Sequence, residues 1–214
     1  MAQSPAYATL ERVGRIRLSE NFFMRDFLYS EVAAYYGIAN LPDNEKLAAE
    51  VGTALCENLL EPMQKCFGRL HIRSAFRSCA VNAIGNRNNH NCASNEANYA
   101  GHIWDRVDGD GRRGATACIV IPGFADRFTQ PGDWTELAWW LHDNLPYCSL
   151  YFFPQNWAFN ITWSDKPRRR IDSYAGWQLD GGWKNKGLLT EPGMANHEGD
   201  HTNAYSRLEQ EFGL

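Results

Sequence analysis

No stretch of this 214-residue chain approaches the ~20 consecutive apolar residues that a membrane-spanning helix needs. The opening MAQSPAYATLERVGRIRL has no apolar core set between a basic start and a small-residue cleavage site. No secretory signal is read there, and the chain is expected to be cytoplasmic on synthesis. There is no C-x-x-C pair and no zinc-finger spacing among the six cysteines, Cys56, Cys66, Cys79, Cys92, Cys118 and Cys148. Cys56, Cys66, Cys118 and Cys148 lie in apolar, periodic surroundings and read as buried thiols. Cys79 and Cys92 bracket a polar loop and would pair only in an oxidising compartment, so reduced thiols are expected. Nor is there an excess of positive charge. The 21 basic residues face 25 acidic ones, and the net charge of −4 argues against bulk nucleic-acid binding. The run Arg168-Arg169-Arg170 is a local exception and reads as a solvated strand end. Internal repeats and low-complexity tracts are absent too, which excludes repeat architectures.

What remains is a globular composition, 44% hydrophobic and 21% charged, long enough for one core. Residues 1–18 show no helical or strand period and are expected to form an extended arm. Ser19 is placed to cap a helix from Asn21 to Tyr36, closed by Gly37. Asp43 precedes the clearest helix, in which Leu47, Val51, Leu55, Leu59 and Met63 share a face until Gly68 stops it. Leu70 to Phe76 alternates as a strand. Residues 85–114, rich in Asn and Gly, read as a long loop. Ala115–Ile121, Tyr147–Phe153 and Trp157–Trp163 read as strands. Between the first two, Asp133 and Glu136 make a capping-box-like start to a helix through His142. Beyond Arg170 the period weakens to turns anchored by Trp177 and Trp183, with a short helix over 201–212. This order implies an α+β layer fold with a small, largely antiparallel sheet. It divides into an arm (1–18), a domain (19–172) and an irregular C-terminal extension (173–214).

The stretches LSENFFMRDFLYSEVAAYYGIANLP, ENLLEPMQKCFGRLHIRSAFRS, WTELAWWLHDNLPYCSLYFF and NITWSDKPRRR follow one another in a telling order. Over roughly residues 18–172 the chain resembles the zinc D-Ala-D-Ala carboxypeptidase and peptidoglycan endopeptidase family, with the Hedgehog/D,D-peptidase fold. The resemblance implies one zinc ion held by His, Asp and His, with the attacking water in the open fourth position. His102, in YAGHIWD, matches the first ligand. On the strand GATACIVIP the Asp position is occupied by Cys118, beyond an insertion containing DRVDGDGRR. The final His position falls on Asn160, and the carboxylate expected just before it has no counterpart in FFPQNWAFN. A Cys thiolate binds zinc well, whereas a neutral amide oxygen donates weakly. Losing the general base removes a factor of ~10²–10⁴ in rate. The resemblance thus implies a degenerate centre at His102, Cys118 and Asn160. Ser74 and Arg77, in RSAFRS, match the family's serine–aromatic–arginine turn, whose arginine binds the substrate carboxylate or the developing oxyanion. The alternative for Arg77 is to hold the 85–114 loop.

Other constellations compete. His197-Glu198-Gly199-Asp200-His201 matches H-E-x-x-H, a zinc motif when helical. Gly199, Asp200 and the upstream Pro192-Gly193 favour a polar loop instead. Asp105, Asp108 and Asp110, followed by Gly111, resemble part of a calcium loop without its later bidentate Glu. A solvated acidic turn is expected there, with Ca²⁺ the alternative. Trp134, Trp139 and Trp140 lie on one short helix and cannot all face one core, so a partner is expected to cover at least one. Together with the resemblance, these readings predict a non-catalytic structural or binding protein on a peptidoglycan-peptidase scaffold. No cofactor is expected. Its setting would be a homo- or hetero-oligomeric assembly such as a bacteriophage virion or tail, with peptidoglycan as a candidate ligand. The alternative is an active zinc D,D-peptidase in which His90, His197 or His201 completes a Zn²⁺ site begun by His102 and Cys118. The arm is expected to serve association, so that deleting residues 1–17 leaves the monomer's stability nearly unchanged.

Overall fold

A computed structural model describes residues 5–179 and 181–214. Residues 1–4 of the expected arm lie outside the described residues, and the rest is not extended: residues 5–14 form helix α1 (Pro5–Gly14). The segment has too few periodic apolar residues to be read as a helix, and so short a helix is marginal alone. Tertiary contacts hold it. Val13 is fully buried and Leu18 nearly so. The Met24 N–H donates to the Ile16 carbonyl at 2.8 Å. The Arg12 guanidinium grips both carboxylate oxygens of Glu45 at 2.6 and 2.7 Å. The segment therefore belongs to the domain's own core.

The helix expected over 21–36 is broken. Ser19 does not cap it; its hydroxyl donates to Glu61 Oε1 at 2.7 Å, and the backbone N–H and side-chain amide of Asn21 join the same carboxylate. A 3₁₀ turn (Met24–Phe27) buries Met24 and Phe27. Helix α2 (Glu31–Tyr36) then starts at Ser30, whose Oγ accepts from the Ala33 N–H. Gly37 ends it at φ 63°, a left-handed conformation that costs glycine little. Next come α3 (Glu45–Leu55), a π-helical turn (Cys56–Leu60) and α4 (Glu61–Phe67) in unbroken succession. The cap of α3 is Asn44, which accepts from the Leu47 N–H, rather than Asp43. The π turn explains the apolar stripe. Val51, Leu55, Leu59 and Met63 recur every four residues, which overshoots a 3.6-residue turn. The wider i→i+5 turn takes back that drift, and all four remain buried.

Part of the region read as loop is helical, as α5 (Cys79–Arg87) and α6 (Asn95–Asn98), while α7 (Pro122–Arg127) follows the second strand. Six strands form the main sheet: β1 (His71–Ser74), β2 (Gly114–Val120), β3 (Ser149–Phe152), β4 (Phe159–Ser164), β5 (Arg170–Ser173) and β8 (Gly187–Thr190). Their order is β1-β2-β4-β3-β5-β8, with β6 (Trp177–Leu179) and β7 (Gly182–Lys184) in a separate hairpin. Among the described residues, every pairing of these strands is antiparallel except β3 with β5. This is an α+β fold with the largely antiparallel sheet that the order of elements predicts. Alternation along the strands sends Ala117, Ile119, Leu150, Phe152, Phe159, Ile161 and Ile171 into the main core. Cys118 and Val120 join a small separate cluster with Ala158, and α3 packs across β2 and β4.

Helix α8 (Trp134–Asn144) starts where expected, although Asp133 accepts from the Gln130 N–H instead of closing a capping box. All three of its tryptophans are buried: Trp134 at 0%, Trp139 at 9% and Trp140 at 6% exposure. Trp134 packs on Phe152 of the sheet, Trp140 meets Phe67 of α4 edge-on, and Trp139 stacks on His201. The expectation of a partner over these rings does not hold, because α9 (Thr202–Phe212) packs along α8 and the segment entering it covers the remaining side. The segment read as an irregular extension likewise supplies β8 and α9 to the same body. No helix among the described residues is long and apolar enough to cross a membrane.

Deleting residues 1–17 is therefore expected to lower the melting temperature of the monomer. Val13→Ala isolates the packing component. It should cost about 2 kcal/mol, or roughly 5 °C for a chain of this size, in thermal denaturation followed by circular dichroism. Unchanged melting in both variants would make the segment a dispensable arm after all.

Candidate functional site

On the sheet face opposite the main core, register partners set up one row of side chains. It runs from Ser74 through Cys118, Asn160 and Tyr151 to Asp172, crossing β1, β2, β4, β3 and β5. His102 reaches the same region on a loop that takes over beside β2 where β1 ends. The Thr116 N–H donates to the Gly101 carbonyl at 3.0 Å, and the Arg77 N–H donates to the His102 carbonyl at 2.8 Å. The indole N–H of Trp104 donates to the Thr116 carbonyl at 3.1 Å. Asn40 fixes the turn that carries Arg77. Its amide donates to the carbonyls of Leu28 and Phe76, and its oxygen accepts from the Ser78 N–H.

His102 Nδ1 donates to the Ala75 carbonyl at 2.7 Å. That contact fixes the tautomer and leaves Nε2 as the lone-pair nitrogen, the arrangement a ligating histidine shows. Burial first, and then the Arg77 guanidinium, push the His102 pKa down to about 3. Burial pushes the Cys118 thiol up, against the pull of Arg73 and Arg77, so it is not a thiolate at neutral pH. Asn160 adds a neutral amide. The row's one carboxylate, Asp172, is gripped by Arg170, which also reaches Glu191 at 2.6 Å. A thiol that meets zinc loses its proton, so the weak donor here is the neutral amide of Asn160, and no unengaged carboxylate stands in the row to activate water.

Arg77 holds the loop. Its Nη1 donates to Cys92 Sγ at 2.6 Å, while its Nε is buried with no partner among the described residues. All six cysteines are free. The acids of the calcium-like stretch diverge. Asp105 is 2% exposed and accepts from the N–H groups of Asp43 and Asn44 at 2.7 and 3.3 Å. It thus sits at the start of α3, where negative charge meets the helix dipole. Asp108 accepts from the N–H groups of Asp110 and Arg112, and the Arg112 guanidinium reaches both acids. This is an arginine-closed turn rather than a calcium cage, and Asp105 takes no part in it.

Another set of donors does converge. His142 and Asp143 at the end of α8 and His201 just before α9 each place one ligand atom within 4.8 Å of the others, the one such group of three among the described residues. Residues 191–201 are turns and irregular backbone, so the H-E-x-x-H match is not helical. His90 stands apart, 3.0 Å from the Tyr36 hydroxyl. Neither His90, His197 nor His201 joins His102 and Cys118 in a group of three, so the zinc set imagined from distant histidines is not assembled. Nothing local in the sequence singles out Asp143. Its contact with His201, 58 positions along the chain, is created by the packing of α9 on α8. No family model, no curated protein and no solved structure matches this chain.

His102 should stay neutral across the physiological range. Its pKa is about 3 in the fold against 6.5 for the free side chain, so in between the unfolded chain holds more protons. Its contribution to stability is complete above pH 6.5 and is lost as pH falls toward 3. In NMR titration its ring resonances should not move between about pH 8 and 5, and His102→Gln should flatten the acid decline in stability. A ring midpoint near the free value would refute this burial.

Proposed function

We propose that this chain is a non-catalytic structural or binding protein on a scaffold like that of the D,D-peptidases with the Hedgehog/D,D-peptidase fold. Its setting is a protein assembly such as a bacteriophage virion or tail, and its ligand at the sheet face is the carboxylate end of a peptidoglycan stem peptide. The observation that carries this reading is the register row Ser74–Cys118–Asn160, with the loop that bears His102 bonded to β2 at Thr116. On this reading the positions of the family's hydrolytic centre hold a thiol and an amide in place of its acid and second histidine. The half-buried Arg77 guanidinium supports retained binding, because the part of a held guanidinium that reaches solvent presents pre-oriented donors to a carboxylate. The competing reading is an active zinc D,D-peptidase with non-standard ligands. Among the described residues, the lack of a third His, Cys, Asp or Glu grouped with His102 and Cys118, and of an unengaged carboxylate in the row, weighs against it.

The test is incubation with a stem peptide ending in D-Ala-D-Ala, with and without added Zn²⁺. The peptide should be recovered intact by mass spectrometry. Calorimetry should show binding that Arg77→Ala weakens about tenfold or more, the loss of a hydrogen bond to a charged group being ~1.5–3 kcal/mol. Release of D-Ala that disappears in His102→Ala would establish the peptidase instead. A folded protein that does not bind the peptide would remove peptidoglycan from the reading.

A further inference from the structure

We propose that the junction between α8 and the segment entering α9 is a divalent transition-metal site of the zinc class, with His142, Asp143 and His201 as ligands. It is separate from the sheet face. Helix α8 packs on the core side of the sheet through Trp134 and Phe152, and His102, Cys118 and Asn160 take no part in the group.

The donor chemistry fits. Two imidazoles and a carboxylate are a zinc set that leaves a fourth position open. Around a tetrahedral ion with bonds of ~2.1 Å, ligand atoms stand about 3.4 Å apart. The present spread of up to 4.8 Å would close by side-chain rotation that takes His142 Nε2 off the His197 carbonyl.

The hydrogen bonds of His201 point to a cation. Its Nδ1 faces Asp143 Oδ1 at 2.7 Å and its Nε2 faces the Asn196 carbonyl at 2.9 Å. Both partners are acceptors, and a neutral imidazole carries a single N–H. One of the two contacts therefore needs either a second proton or a metal ion. An ion on Nδ1 leaves Nε2–H donating to the backbone carbonyl, the outer contact that ligating histidines usually make. Asp143 is already oriented by its second oxygen, which accepts from the His201 N–H at 3.0 Å and the Tyr205 hydroxyl at 3.2 Å. His142 has the Tyr147 hydroxyl at 2.6 Å as outer partner of its Nδ1. Its Nε2, now on the His197 carbonyl at 2.8 Å, is the atom the ion would take.

Access and charge agree. A cavity of ≈ 470 Å³ opens beside the cluster, and its walls include His142, Asp143, Arg169, His197, Glu198 and Asp200. Three carboxylates there oppose one guanidinium. That guanidinium is engaged by the carbonyls of His142 and Leu145 and lies over the Tyr147 ring. A bound ion would tie the segment before α9 to the end of α8.

The experiment is titration of Zn²⁺ into the untagged, chelator-stripped full chain by calorimetry, with Co²⁺ as a spectroscopic substitute. One equivalent should bind, raise the melting temperature and lose at least tenfold in affinity in Asp143→Asn and in His201→Gln, each checked for native circular dichroism. His102→Gln and Cys118→Ala should bind as the unaltered chain does, and the Co²⁺ form should lack thiolate charge-transfer absorption. Failure of the unaltered chain to take up zinc would overturn the site and leave a proton-bridged cluster. Zinc uptake abolished by His102→Gln or Cys118→Ala, or a thiolate band with Co²⁺, would place the ion on the sheet face instead. Stem-peptide binding is measured independently and does not decide this outcome.

Discussion

The pairing of β2 with β4, from Gly114 opposite Ser164 to Ile119 opposite Phe159, is the constraint that the rest of the molecule follows. It sends Ala117, Ile119, Phe159 and Ile161 into the main core and leaves Thr116, Cys118, Asn160 and Thr162 on the other face. A slip of one residue would exchange the two sets. The hydroxyls of Thr116 and Thr162, 2.8 Å apart and buried, add a polar contact that only this register permits. The strand also begins in a tight place. A Cβ on Gly114 would come within 2.5 Å of the Ala100 carbonyl and 2.7 Å of the Trp163 carbonyl. The loop bearing His102 and the neighbouring strand therefore both close on β2 at a residue that has to be small.

A second constraint acts on the core side. Helix α8 has apolar residues around almost its whole circumference, and such a helix must be covered all round. The sheet and α4 cover part of it. The remaining side is closed by the chain's own C-terminal segment, which puts His201 on Trp139 and Asp143 beneath the start of α9. The cluster at this junction is thus a by-product of burying tryptophans.

The two polar regions have opposite chemistry. On the sheet face, burial keeps His102 neutral and Cys118 protonated, and Arg170 engages the one carboxylate of the row. That environment leaves no unengaged carboxylate in the row to activate water. At the α8–α9 junction the carboxylates outnumber the one engaged guanidinium, the imidazoles face acceptors, and a cavity reaches the cluster. There the local charge favours a cation.

The elements with strong periodicity were legible in the residues alone: the stripe Val51–Leu55–Leu59–Met63, the strands around Cys118 and Asn160, the Trp134 helix and the final helix. Each carries its apolar pattern within one segment, and burial of that pattern dictates helix or strand. The α1 helix was not legible, because one buried valine and a salt bridge to Glu45 hold it, and neither shows in local sequence. The break within residues 21–36 is hidden for a like reason: Ser19 and Asn21 satisfy the distant Glu61 carboxylate. Strands β5 to β8 are three or four residues long, too short to show a period before β5 and β8 pair on the main sheet and β6 pairs with β7. Of the sheet face, the sequence by itself determined which side chains are available, a thiol at Cys118 and a neutral amide at Asn160. Only the tertiary structure decided which donors meet. The ring nitrogen of His201 finds the Asp143 carboxylate because two helices pack side by side, and long-range packing leaves no local trace in the residues it joins.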